Sequence, residues 1–146
     1  MLLGLLTFLA ARSFGPMSAP RTTSTRREYD VSARSTDVFG RVLCSAREHH
    51  FIIDGPVQNG CPGEEMTPVE AFLSAVAACG VELIHVIAKT ENRALDRVAV
   101  TVHGWSDRAR QSRADVTTLN GVSLDFIIWG ADAAGAAALV ESFKRR

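Results

Sequence analysis

The sequence predicts an α+β fold, on three observations. Residues 67–90 read as one long helix that is apolar on nearly every side. The stretches before and after it change to a two-residue alternation, the period of strands. A shorter helical pattern closes the chain, and no strand–helix–strand repeat recurs, which sets this order apart from a parallel α/β sheet. At 146 residues, one domain is expected.

The elements follow in order. Residues 2–10 are apolar but only about nine long, too short for a bilayer, which takes ~20 residues. No Lys or Arg precedes them, so the positive start of a signal peptide is missing. A cytoplasmic chain without stable membrane insertion is expected, with a weak signal-anchor as the alternative. Residues 18–27 are polar and basic, so residues 1–27 form an apolar, then basic and flexible segment. From 28 onward a domain is expected. Tyr29, Val31 and Ala33 alternate with polar neighbours, residues 35–37 suggest a turn, and residues 38–46 suggest a second strand carrying Val42, Cys44 and Ala46 on one face. Phe51, Ile52 and Ile53 end at Asp54-Gly55-Pro56, a strong turn signal. Residues 27–54 thus read as a meander of two or three strands, with Cys44 in the core. Residues 57–66, with two Gly and one Pro, read as an irregular loop.

Thr67 suits the N-cap of the long helix, Pro68 its first position, and Glu70 the third, which is the capping-box pattern. Val69, Phe72, Val76, Cys79, Leu83 and Val86 form one apolar stripe. Leu73, Val81, Ile84 and Ile87 widen it. A helix apolar all round is expected to be buried, and Ala71, Ser74, Ala75, Ala77, Ala78 and Gly80 let another backbone come close. Past the stop at Glu91-Asn92, Val98, Val100 and Val102 mark a strand over 98–105. Residues 106–115 read as a solvated hairpin loop, and 116–129 as the partner strand. Asp132 suits the cap of a last helix over 133–146, with Ala136, Leu139, Val140 and Phe143 inward and Lys144, Arg145 and Arg146 at its negative end.

Composition excludes several function classes. The formal charge is zero, with 16 basic and 16 acidic residues, so no nucleic-acid partner is expected. Cys44, Cys61 and Cys79 are an odd set without CxxC spacing, which argues for a reducing compartment and against a disulfide framework or a zinc site. His49, His50, His85 and His103 have no ligand spacing, and no metal or cofactor is expected.

The segment Asp54-Gly55-Pro56, Gly60-Cys61-Pro62-Gly63, then Thr67-Pro68-Val69-Glu70 and an apolar run into Ala77-Ala78-Cys79 resembles the OsmC family, which includes the organic hydroperoxide resistance proteins. The resemblance covers roughly residues 28–146. It implies curved antiparallel sheet around the long buried central helix, in an intertwined homodimer with its site at the subunit interface. It also implies a thiol peroxidase. Cys79 is then the peroxidatic residue, and an Arg from the early strands, held by a Glu near the helix start, would favour its thiolate. Arg41 and Arg47 are the candidates for that Arg, with Arg41 preferred; Glu70 is the nearest match for the carboxylate. In the hydroperoxide resistance branch the Glu directly follows the Pro, a place held here by Val69. The family's usual second Cys and final strand would fall beyond Arg146, so a C-terminally truncated member is expected, with Cys61 as a substitute resolving thiol. Organic hydroperoxide and a thiol reductant are the partners this implies.

Two other functions fit the pattern. One is a dimeric OsmC-like protein that binds a small apolar or electrophilic ligand without efficient turnover. The other is a hot-dog thioesterase, which would need a carboxylate in the helix, where residues 71–81 have none.

Overall fold

The computed structural model describes residues 26–146. The apolar-then-basic segment expected over residues 1–27 lies outside them but for its last two residues. Three strands come first: β1 (Val31–Ser35), β2 (Arg41–Ala46) and β3 (His49–Asp54), in an antiparallel sheet of order β1-β2-β3. Ala46 pairs with His49, so Arg47 and Glu48 alone make the turn. Arg47 takes φ +56°, as two-residue hairpin turns require of their first central residue. Cys44 is buried in this sheet, as expected of a core thiol. The second strand starts three residues later than the alternation suggests. Residues 38–40 are a turn, with Gly40 at φ +77° and the Arg41 N–H donating to Val38 O at 3.1 Å. Those backbone groups are spent on the turn, so the ladder begins at Arg41.

Residues 55–67 lead to helix α1 (Pro68–Thr90) and are irregular except for one 3-10 turn, Val57–Asn59. The turn closes where Gly60 takes φ +78°. At the start of α1, the Thr67 N–H and hydroxyl both donate to Glu70 Oε2 at 2.7 Å, so the capping box forms. The helix ends as Glu91 N–H donates to Ile87 O at 2.8 Å and Asn92 turns to φ +50°.

Beyond α1 lie β4 (Arg97–Trp105) and β5 (Gly121–Trp129), an antiparallel pair forming a second sheet, and α2 (Ala133–Phe143). β5 is shorter than the expected 116–129. The Thr118 N–H donates to Gln111 Oε1 at 2.8 Å, and Thr118 O accepts from Gln111 Nε2 at 3.0 Å. Both backbone groups of this β-branched residue are therefore taken by a side chain within the loop. The last helix stops at Phe143 rather than 146. Arg145 and Arg146 donate to Ser142 O and Phe143 O, the tight pattern of a closing turn. Asp132 caps α2, accepting from Gly135 N–H at 2.7 Å.

The core is Ile84, Ile87 and Ala88 of α1, Val98 of β4 and Leu139 of α2, with Phe126 and Phe143 edge-to-face against it at 5.1 Å between centroids. Each fully buried Ile or Leu contributes roughly 1.5–3 kcal/mol. Gly80 lets α1 approach β4 and β5 to van der Waals contact with Val100 and Phe126. The helix is therefore buried on one side only, a correction to the expected burial all round. Ile84 and Ile87, expected to flank the main stripe, are the inner face. Most of the main stripe is open: Val69, Phe72, Cys79 and Val86 are exposed, Phe72 at 57%, while Val76 and Leu83 are half-buried, Leu83 against the core. By length and composition α1 could cross a membrane, but its inner face is packed against β4 and α2.

Candidate functional site

The site is built upward from two glycines. Gly40, before β2, and Gly55, after β3, sit side by side, with Gly55 N–H donating to Gly40 O at 2.8 Å. The Cys61 side chain is seated on both. A Cβ at Gly40 would fall 2.2 Å from Cys61 Sγ, and one at Gly55 2.4 Å from it, so neither place tolerates a side chain. This close approach turns the loop 56–66 back over the end of the hairpin.

The same return brings charged groups together. Arg41 and Asp54 are direct cross-strand partners. Arg41 donates Nε to Asp54 Oδ1 and Nη2 to Asp54 Oδ2, both at 2.8 Å, a bidentate pair. Nη2 also reaches Glu64 Oε2 at 2.6 Å. Asp54 is fully buried, yet its Oδ2 further accepts from Glu64 N–H at 3.0 Å and Glu65 N–H at 3.2 Å. Its carboxyl is pushed down to about 2, first by the Arg41 hydrogen bonds and then by the two backbone donors, against the opposing effect of burial. Arg41 is held more firmly protonated by the same two carboxylates. Glu64 is 71% exposed, so its half of the cluster is open to water and exchangeable.

The remaining candidates lie elsewhere. The partners of Arg41 are Asp54 and Glu64, not the expected Glu70. Glu70 is held by Thr67, whose backbone N–H and then hydroxyl lower its pKa. Arg47 is at the far tip of the hairpin, six residues along an extended strand from Arg41, or about 20 Å. Cys79 is mid-helix on the open face of α1 and exposed; Cys61 is half-buried; all three cysteines are free. Among the described residues no hydrogen bond or ion pair joins Cys79 or Glu70 to Arg41. The structure thus joins Cys61, through its glycine seat, to the Arg41 cluster, while Cys79 is exposed on α1. Among the described residues no group of His, Cys, Asp and Glu is placed to hold a metal ion.

Asp54 and Glu64 were not singled out in the sequence. Asp54 stands in a turn signal, and Glu64 in an acidic pair inside a loop. A signal for Asp54 did exist: a two-residue turn at 47–48 puts residues 41 and 54 opposite each other, an Arg facing a carboxylate.

Comparison with known proteins adds the family. The OsmC-like protein family matches residues 61–146, more than half of the chain. The protein belongs to the OsmC-like family. Arg41 and Asp54 precede the matched stretch, while Cys61, Glu64, Glu70 and Cys79 lie within it. No curated protein sequence matches the chain. Solved structures share the OsmC-like fold. An organic hydroperoxide resistance protein OsmC from Legionella pneumophila is 21% identical over 81% of this chain and 82% of its own, with a TM-score of 0.65. An OsmC-like protein from Mycoplasma pneumoniae is 16% identical, covering 82% of each chain, with a TM-score of 0.69. The organic hydroperoxide resistance protein OhrB of Bacillus subtilis is 21% identical over 79% of this chain and 82% of its own, at 0.54. At these identities the likeness speaks for the fold alone. Within the OsmC-like family, the hot-dog reading loses its ground.

Proposed function

We propose that this protein is a thiol-dependent peroxidase that reduces organic hydroperoxides, with Cys79 as nucleophile and a homodimer as the working form. The observation that carries the reading is the place of Cys79. It is an exposed thiol midway along the open apolar face of α1, in a member of the OsmC-like family. The names of the Legionella and Bacillus proteins support the choice of substrate class.

The chemistry runs as follows. The Cys79 thiolate attacks one peroxide oxygen and the O–O bond breaks. The other oxygen leaves and takes up a proton as an alcohol, and Cys79 becomes a sulfenic acid. A thiol attacks that sulfur, giving a disulfide and water. Thiol exchange with the external reductant then releases Cys79: one further thiol suffices when the reductant supplied the first, and two when Cys61 did, the reductant leaving as its own disulfide. Cys61 or the external reductant supplies the first of these thiols. Cys79 lies mid-helix, away from the helix N-terminus, so a cation must favour its thiolate. Arg41 is the candidate, and the exposed Glu64 is the partner it can release most easily.

A second copy is the natural cover for the open face. Phe72, Val86, Val69 and the β1 residue Val31 are all more than 40% exposed, a distribution that fits an interface better than a finished surface. Three free thiols fit a reducing, cytoplasmic setting.

The test is consumption of cumene hydroperoxide with a dithiol reductant, beside Cys79→Ser, with the oligomeric state read by size exclusion. Turnover lost in Cys79→Ser, from a dimer, is the expected result. A well-behaved monomer contradicts the dimer. One observation favours the ligand-binding reading: Arg41 and Glu70 are both committed away from Cys79. Its signature is a small apolar ligand that shields Cys79 from alkylation, with no peroxide turnover.

A further inference from the structure

Arg41 uses its donors unevenly. A guanidinium carries five N–H donors in one plane. Nε and Nη2 both donate to Asp54, and Nη2 donates again to Glu64. Among the described residues Nη1 makes no hydrogen bond. Its two donors form the uncommitted edge of the group, on a side chain that is 23% exposed.

The two carboxylates that hold Arg41 differ in kind. Asp54 is fully buried and stands opposite Arg41 across the β2–β3 ladder. It is itself fixed, by the Glu64 and Glu65 N–H groups on its Oδ2. A two-point contact from a fixed carboxylate sets the plane of the guanidinium as well as its place. Glu64 makes a one-point contact from a side chain that is mostly in water. Such a contact adds charge and little geometry, because holding an exposed side chain in one pose costs entropy.

Charge alone makes this cluster a poor partner for an anion. It joins one positive group to two negative ones, and Asp54, its carboxyl held at about 2, is ionised throughout the neutral range. What an approaching anion can use is the free Nη1 edge. A hydrogen bond from that edge depends steeply on distance and angle, and so on where the edge points.

We propose that the two carboxylates act on Arg41 in opposite senses: Asp54 is a positioning residue that aims the free Nη1 edge, and Glu64 is a restraint whose negative charge weakens the pull of that edge on an anion. Taking the anion to be the Cys79 thiolate rests on the peroxidase reading above; the division of roles within the cluster does not. The signs separate aim from charge. Were both carboxylates merely charges, removing either would strengthen Arg41 towards an anion. With Asp54 as the aiming group, its removal weakens Arg41 even though a negative charge has gone.

The experiment compares the full chain with Asp54→Asn, Glu64→Gln and Arg41→Lys in two measurements. The first is the NMR signal of the Arg41 Nε–H and its exchange with water. The second is the pH profile of Cys79 alkylation by iodoacetamide, read at that residue by peptide mass mapping. Glu82 and His85, the nearest titratable residues of α1 beyond Cys79, are common to every protein compared. Glu64→Gln is expected to keep the slow Nε–H exchange and to raise Cys79 alkylation about threefold at pH values below the thiol pKa, the scale of a partly solvated neighbouring charge. Asp54→Asn is expected to lose the slow exchange and to lower alkylation about threefold, on the same scale. Arg41→Lys, which keeps the charge and gives up the fork, should lower it as well. If Asp54→Asn and Glu64→Gln move the profile the same way, or if Asp54→Asn keeps the slow exchange, Asp54 does not aim Arg41 and the proposal is overturned. If Asp54→Asn does not fold, Arg41→Lys decides: an unchanged profile there, beside a shifted one in Glu64→Gln, shows charge alone at work and overturns the aiming. If the Nε–H signals behave as expected while Cys79 alkylation is the same in every protein, the aiming by Asp54 stands and the assignment of Arg41 to Cys79 in the peroxidase reading fails.

Discussion

The two halves of this molecule are held together by different physics. The unit of α1, β4, β5 and α2 closes over an apolar centre of Ile84, Ile87, Val98 and Leu139. The β1-β2-β3 sheet contains one buried apolar side chain, Cys44, and one buried polar one, Asp54. It is fastened by the Arg41–Asp54–Glu64 cluster and by the glycine seat under Cys61. Apolar burial is non-directional and independent of pH, whereas a bidentate ion pair is directional and titrates. The first half therefore supplies a rigid helix that presents Cys79. The second holds Arg41 and the 56–66 loop in place through directional ion-pair and backbone hydrogen bonds.

The sharpest way to separate the halves is to damage each alone. Ile87→Ala should cost ~2–5 kcal/mol, the range for large-to-small changes at a fully buried site. Denaturant unfolding followed by Trp105 and Trp129 fluorescence would show it. Equal loss from an exposed-face change such as Phe72→Ala would break the contrast between the two sides of α1.

Asp54→Asn should loosen the N-terminal sheet with little effect on α1 and β4. Hydrogen exchange would show faster amides in β2 and β3 only. The pH dependence has a definite sign. Asp54 is lowered from 3.8 to about 2 in the fold, so its contribution is present above about pH 4 and lost as pH falls towards 2. Exchange in β2 and β3 should rise across that window in the wild type, and the Asp54-dependent part of the rise should be absent in Asp54→Asn. A smaller effect is expected at the joint between the halves. Thr67→Ala removes the hydroxyl half of the capping box and should cost about 1 kcal/mol, seen as fraying of the first turn of α1. A fully protected first turn in that variant would show that packing, not the capping box, holds it.

Much of this was legible in the sequence, and the failures have causes. The bounds of α1 followed from Thr67, Pro68 and Glu70, since caps are local chemistry. The hairpins followed from two-residue alternation, and Cys44 was rightly placed in the core. The buried face of α1 was not legible. A helix apolar on all sides gives no direction to its own periodicity, and only β4 and α2 decide that Ile84 and Ile87 face in. The start of β5 was misread because Val116, Thr117 and Thr118 have strand-like side chains, while their backbone is claimed by Gln111. Asp54 was hidden as part of a turn signal, though the hairpin register places it across from Arg41. The family followed from the run ending in Ala77-Ala78-Cys79, but the partners of Arg41 came from the folded loop.

The central claim is that Cys79 is the reactive thiol. The most direct test is intact mass after one equivalent of cumene hydroperoxide with a sulfenic-acid trap present, with Cys79→Ser alongside. Rapid labelling of Cys79 alone, lost in Cys79→Ser, is the predicted result. Slow labelling, or labelling spread equally over Cys44, Cys61 and Cys79, would make Cys79 a packing residue of the α1 face and contradict the peroxidase.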